Sequence, residues 1–122
     1  MKNILLILFF FVLSGCTAQD CKDLPMVFDN YSEAKRVVEA SSFQYSDKLS
    51  RIDSEWISWA EFHSCDGKTG YFLYGTKKGS HYIHEGVPIS KWEYFKQADS
   101  KGSYYSKNIK GRYQLETRSG PE

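Results

Sequence analysis

Lys91, Lys96, Lys101, Lys107, Lys110 and Arg112 alternate with Trp92, Tyr94, Tyr104, Tyr105 and Tyr113 in the last third of the chain. Cations interleaved with rings can hold a polyanion: the charged groups meet its phosphates or carboxylates while ring faces stack on its planar groups. The same tyrosines can equally fill a small core while the lysines solvate its surface. The two roles separate by exposure. Ile109 and Tyr113 are expected inside, and Lys107, Lys110 and Arg112 outside, beside an accessible ring of Tyr82, Tyr104 or Tyr105. With His84, these form the candidate binding set.

Other chemically capable residues have poorer spacing. His63, His81, His84 and Cys65 offer metal-ligand atoms, but His81 and His84 are three apart and face opposite ways in a strand. Gly67-Lys68-Thr69 resembles the end of a phosphate loop, yet the earlier glycine of that motif would fall at Phe62. No nucleophile occupies a recognisable elbow, and no carboxylates pair at informative spacing. The reading is therefore a chain with no metal, no cofactor and no catalytic set.

The N-terminus carries a different signal. Lys2 precedes an unbroken apolar run from Ile4 to Leu13. A membrane span needs about 20 such residues, so this length fits the apolar region of a signal peptide, residues 1–15. Leu13-Ser14-Gly15-Cys16 resembles the lipobox of bacterial lipoproteins. That resemblance implies a diacylglyceryl group on Cys16, cleavage after Gly15 and a further acyl chain such as palmitate on the new amine. Two or more chains anchor stably, at about 0.8 kcal/mol per buried methylene. The expected location is the cell envelope, lipid-anchored. Thr17 in place of Asp after the lipid site favours the outer membrane if the envelope is Gram-negative. Cys21 and Cys65 remain, and two cysteines in a small exported domain read as a disulfide.

The net charge of +1 hides an asymmetry. Cys16 to Asp66 holds ten Asp/Glu against five Lys/Arg, and Gly67 to Glu122 holds the reverse. Either the surface is dipolar or the halves neutralise each other in the fold.

These residues need elements to position them. Residues 16–28 read as a lipidated tether, and 29–55 as an N-terminal helical extension. Asn30-Tyr31-Ser32-Glu33 is a capping box, and Tyr31, Ala34, Val37 and Val38 share one face of a helix ending near Ser41-Ser42. Trp56–Cys65, Tyr71–Tyr74 and Ser80–His84 read as strands joined by turns at Asp66-Gly67 and Lys77-Lys78-Gly79. Val87-Pro88 leads into a second helix, with Ser90 to Glu93 as its capping box and Ile89, Trp92, Phe95 and Ala98 as a buried stripe. Ser100-Lys101-Gly102 breaks it, a short helical segment closes the domain near residue 115, and 116–122 is a tail. The fold class is α+β: an N-terminal helix, a three-stranded antiparallel meander, a covering helix and a short C-terminal helical segment.

Three separated motifs then point to a family. Tyr82-Ile83-His84-Glu85-Gly86-Val87-Pro88, Ala98-Asp99-Ser100-Lys101-Gly102 and Tyr104 to Tyr113 are similar to the KTSC domain, a module of about sixty residues found at the C-terminus of some lysyl-tRNA synthetases. The resemblance spans 56–115 at its widest. It departs at His84, where the family has the second tyrosine of Tyr-x-Tyr, and in a longer Cys65 to Gly70 hairpin. The family has no established biochemical function; RNA binding has been proposed for it.

Together these features describe a membrane-anchored lipoprotein displaying a non-catalytic binding module. Its expected partners are the membrane, through Cys16, and a protein, glycan or anionic envelope polymer. Nucleic-acid binding through the basic aromatic surface is the first alternative, disfavoured by export; an envelope enzyme is the second.

Overall fold

The structure, a computed structural model, describes residues 18–120. Cys16 and the apolar run lie outside them. Among the described residues no helix is long and apolar enough to cross a membrane.

A four-stranded antiparallel sheet, in the order β1 (Tyr45–Leu49), β2 (Ile57–Ser64), β3 (Thr69–Thr76) and β4 (His81–Pro88), forms the middle layer. The α+β class stands, but the meander has one more strand than the sequence suggests. Tyr45–Leu49 alternates half-buried and exposed residues, as an edge strand does, with only Tyr45 and Leu49 as apolar markers. Its pairing with β2 is what reveals it, running from Tyr45 opposite Ser64 to Leu49 opposite Ala60.

Helix α1 (Tyr31–Ala40) covers one face of the sheet. Asn30 caps it by accepting from the Glu33 N–H at 2.8 Å, and the Glu33 carboxylate returns to the Asp29 N–H at 2.7 Å. Ala34 and Val38 of α1 pack with Phe28, Leu73, Ile83 and Leu115. Helices α2 (Ile89–Gln97) and α3 (Lys101–Asn108) cover the other face, where Trp92, Phe95, Tyr105 and Ile109 meet Phe62, Phe72 and Val87. Each large side chain buried completely in this way stabilises the fold by about 1.5–3 kcal/mol.

Two helix starts differ from the sequence reading. α2 begins after Pro88 at Ile89, two residues earlier than a Ser90 cap would give, and no side chain caps it. The first helical N–H, that of Ile89, donates instead to the Lys68 carbonyl at 2.8 Å. Ser100, read as part of a helix breaker, is instead the N-cap of α3 and accepts from Ser103 N–H at 3.2 Å. Gly102 therefore sits inside a helix, buried against the indole of Trp56 where a β-carbon would not fit.

The ends of the domain are tied in. Gln19 and Cys21 exchange backbone hydrogen bonds with Ser42, and Cys21 pairs with Cys65 at a Cα separation of 5.8 Å. Phe28 is buried and bridges to Thr117, while the Arg118 and Ser119 N–H groups donate to Phe28 and Asp29. Residues 19–28 and 116–120 are thus part of the packed body. The acidic and basic halves meet in the pairs Asp47–Lys96 (2.8 Å) and Asp29–Arg118 (2.6 Å).

Candidate functional site

β3 supplies Tyr74, β4 supplies Tyr82 and His84, and α3 supplies Tyr105 to one place on the α2–α3 face. A register shift between Gly70 and Phe72, with Gly86 at φ +67°, lets both His84 and Val87 turn inward although they are three residues apart. Tyr74 Oη donates to Tyr105 Oη at 2.9 Å, and Tyr105 Oη donates to His84 Nε2 at 2.9 Å. The direction is fixed by the far ring nitrogen, because Nδ1 lies 3.0 Å from the Tyr113 carbonyl, which can only accept. Nδ1 therefore carries the proton and Nε2 the lone pair.

Burial sets the electrostatics of this chain. It pushes the Tyr74 and Tyr105 hydroxyls above the ordinary tyrosine range and lowers the His84 imidazole below the usual histidine value. All three groups are neutral near pH 7. A tyrosinate nucleophile or an imidazolium acid would need the opposite shifts.

Above this polar floor lies a cleft of about 670 Å³. Its walls are half-buried rings: Tyr31 at the start of α1, Trp56 before β2 and Tyr82 on β4. Tyr82 stacks on Tyr74 with centroids 5.3 Å apart and meets Tyr31 edge-on at 6.3 Å. Trp56 stands edge-on to Tyr74 and Tyr105 at 5.9 and 5.7 Å. Thr76, Ser106 and Gln114 add neutral polar groups, Lys110 adds a cation, and among the described residues no carboxylate lines the space.

Residues 76–113 match the family model of the KTSC domain. The match takes in β4, α2 and α3 and every residue of the candidate set, and is shorter than the 56–115 span of the sequence resemblance. Among solved structures, the chain is similar to a KTSC domain protein from Yersinia pestis, at 21% identity and a TM-score of 0.49, over 57% of this chain and 93% of that one. No curated protein matches the chain.

Within the KTSC-matching segment the candidate residues divide. Tyr105 and His84 are buried and bond to each other. Tyr82 and Tyr104 are half-buried, Ile109 is fully buried and Tyr113 half-buried. Lys107, Lys110 and Arg112 are exposed and, among the described residues, form no ion pair. Arg112 donates to the Lys107 carbonyl at 3.2 Å, so these two lie together at the end of α3, where cations also suit the helix dipole. Lys110 faces the aromatic cleft, whereas Arg112 turns toward a second cavity beside the disulfide.

The histidines do not converge. His84 is on the α2–α3 face, and His63 bonds to Ser46 and Glu61 on the α1 face. The one cluster of three metal-ligating types among the described residues is Asp20, Cys21 and Cys65, whose two sulfurs are joined to each other. Gly67-Lys68-Thr69 is a hairpin turn with Gly67 at φ +74°, and Asp66 accepts from the Lys68 and Thr69 N–H groups at 2.8 and 3.0 Å. That carboxylate occupies the place a phosphate would need. Tyr31 and Trp56 escaped the sequence reading because they lie far from the C-terminal segment in the chain. Gly102, which the indole requires to be small, was the available signal for Trp56.

Proposed function

We propose that this protein is an envelope-anchored binding module, held by lipid on Cys16, whose ligand enters the aromatic cleft between Tyr31, Trp56 and Tyr82. The observation that carries the reading is the lining itself: among the described residues it offers rings for stacking, neutral hydrogen-bonding groups, one cation and no carboxylate. A ligand suited to it presents a ring and a negative group, as an acidic envelope glycan does. The ring lies on Trp56 or Tyr82, and Lys110 meets the charge; an exposed ion pair of this kind contributes about 0.2–1 kcal/mol. The neutral Tyr74–Tyr105–His84 floor gives the cleft shape without a reactive group, which favours binding over catalysis at this face.

Titration of the purified domain with polygalacturonate, dextran and poly(U), followed by tryptophan fluorescence, tests this. Polygalacturonate should bind, Trp56→Phe should remove the signal, and Lys110→Glu should weaken binding several-fold with the fold intact. Binding of dextran alone would remove the role of Lys110. Preference for poly(U), with a steep salt dependence, would favour nucleic acid instead. The anchor has its own test: Cys16→Ser should leave an uncut precursor, and unchanged processing and fractionation would overturn lipidation at that residue.

A further inference from the structure

The opposite face of the sheet holds a second polar constellation, unrelated to the aromatic cleft. Ser46 on β1 and His63 on β2 are directly paired in register, and Ser46 Oγ lies 2.8 Å from His63 Nδ1. His63 Nε2 lies 3.1 Å from Glu61 Oε2, two residues along the same strand and therefore on the same face. Nucleophile, base and orienting carboxylate are thus joined in one line. Glu61 also accepts an ion pair from Lys48 at 3.2 Å. Burial pushes its carboxyl up, but the hydrogen bonds from His63 and Lys48 outweigh this and hold it below the ordinary carboxylate range. An ionised carboxylate only accepts, so Nε2 carries the ring proton. Nδ1 presents its lone pair to the Ser46 hydroxyl, the tautomer a general base requires.

The surroundings suit acyl chemistry. A cavity of about 350 Å³ opens over Ser46, Lys48, Glu61 and His63. Ser46 is exposed, whereas the Glu61 side chain is only 5% exposed, so substrate reaches the hydroxyl and not the carboxylate. The Lys48 N–H donates to the Asp47 carboxylate at 2.9 Å, which turns it away from β2. Alternate residues of an antiparallel strand point their N–H groups the same way, so the Ser46 N–H also faces the open edge of β1. A developing oxyanion can meet this N–H and the Lys48 ammonium, which is 58% exposed. The Phe43 ring packs against the His63 ring, with centroids 5.2 Å apart.

We propose that Ser46, His63 and Glu61 form an acyl-transfer site that hydrolyses small uncharged carboxylic esters through an acyl-Ser46 intermediate. Ser46 Oγ bonds to the ester carbonyl carbon as its proton passes to His63 Nδ1, and the carbonyl electron pair moves onto oxygen. Collapse breaks the bond to the alkoxy oxygen, which leaves as the alcohol with the proton from Nδ1. Water, deprotonated by the same nitrogen, then attacks the acyl-serine, releasing the carboxylic acid and returning the proton to Ser46. Glu61 is a positioning residue: it fixes the ring and stabilises the transient imidazolium. The cavity volume limits the acyl group, and the Glu39 carboxylate at its rim rejects anionic esters.

The test uses the purified folded domain with p-nitrophenyl acetate and, separately, a fluorophosphonate probe, followed by peptide mapping. The expected result is p-nitrophenol release with an adduct on Ser46. Ser46→Ala, at an exposed position, should keep the far-UV circular dichroism, lose the adduct and slow the reaction at least about tenfold. His63→Asn should slow acylation about a hundredfold. Glu61→Gln should lower kcat while leaving KM unchanged, a split that a purely structural carboxylate would not produce. Ser46→Cys should restore acylation on sulfur. A Ser46→Ala rate equal to wild type, an adduct only on lysine or tyrosine, or no adduct at all would each overturn the assignment.

Discussion

The Tyr105 hydroxyl lies 2.9 Å from His84 Nε2 and 2.9 Å from the Tyr74 hydroxyl, joining helix α3 to both strands beneath it. In its present direction the bond requires a neutral imidazole, because a protonated Nε2 would donate to the Tyr105 hydroxyl and leave that hydroxyl's own proton without this acceptor. Burial holds the folded His84 below its unfolded value of 6.5. Above that value both states are neutral and the full stability is present. As pH falls, the unfolded chain takes the proton first, and stability is lost down through the folded value. Thermal denaturation should therefore show wild type losing Tm between pH 7 and pH 5 relative to His84→Gln, whose amide oxygen can still accept from Tyr105. Glu85, whose carboxyl is pushed up by burial, acts in the opposite sense in both proteins and cancels in the comparison. Parallel Tm profiles would refute the linkage.

Gly102 and Trp56 interlock. A β-carbon at residue 102 collides with the indole nitrogen, so the ring must leave its place on the cleft wall. Gly102→Ala should cost about 1–3 kcal/mol by overpacking. Urea denaturation measures the loss, and a red-shifted tryptophan emission reports the displaced ring. A variant as stable as wild type would show that the indole yields freely.

The Cys21–Cys65 bridge closes a loop with a sequence separation of 44. On the chain-entropy model its removal costs about 4 kcal/mol. Cys21→Ser/Cys65→Ser should fall in stability by that order under identical conditions, and wild type in reductant should follow it. A drop well under 1 kcal/mol would mean that the Asp20–Ser42 and Phe28–Thr117 bridges hold this end alone.

Asp47 ties β1 to α2. One of its oxygens accepts from Trp92 Nε1 at 3.0 Å and from Lys96 Nζ at 2.8 Å. Asp47→Ala leaves the indole N–H without its acceptor, at a cost of about 1–3 kcal/mol. The urea midpoint should fall with an unchanged slope; an unchanged midpoint would show that Tyr45 or water replaces the carboxylate.

Much of this architecture is written locally. Asn30 and Glu33 start α1, Gly67 and Gly79 form the hairpins at positive φ, and the spacing of Trp92 and Phe95 gives α2 its buried side. Each of these signals acts within a few residues, where backbone geometry and side-chain period leave little choice. β1 was not legible, because Tyr45–Leu49 carries two apolar residues among polar ones and becomes a strand only by pairing with β2. Ser100 was misread for a related reason: the same residue ends one helix signal and caps the next, and only the turn of the chain after Ala98 decides between them.

The sites divide the same way. The residue types of the candidate sites are visible in the chain: the tyrosines and lysines of the last third, Cys21 and Cys65, the histidines. Composition and spacing determine that much. Which of them meet was decided by tertiary packing. The disulfide joins positions 44 apart, Tyr31 and Trp56 reach Tyr82 from other elements, and Ser46 meets His63 across a strand pairing that no local period encodes. Sequence patterns report the face a residue turns toward the core. The partner it finds depends on register and crossing between distant segments, which only the packed structure fixes.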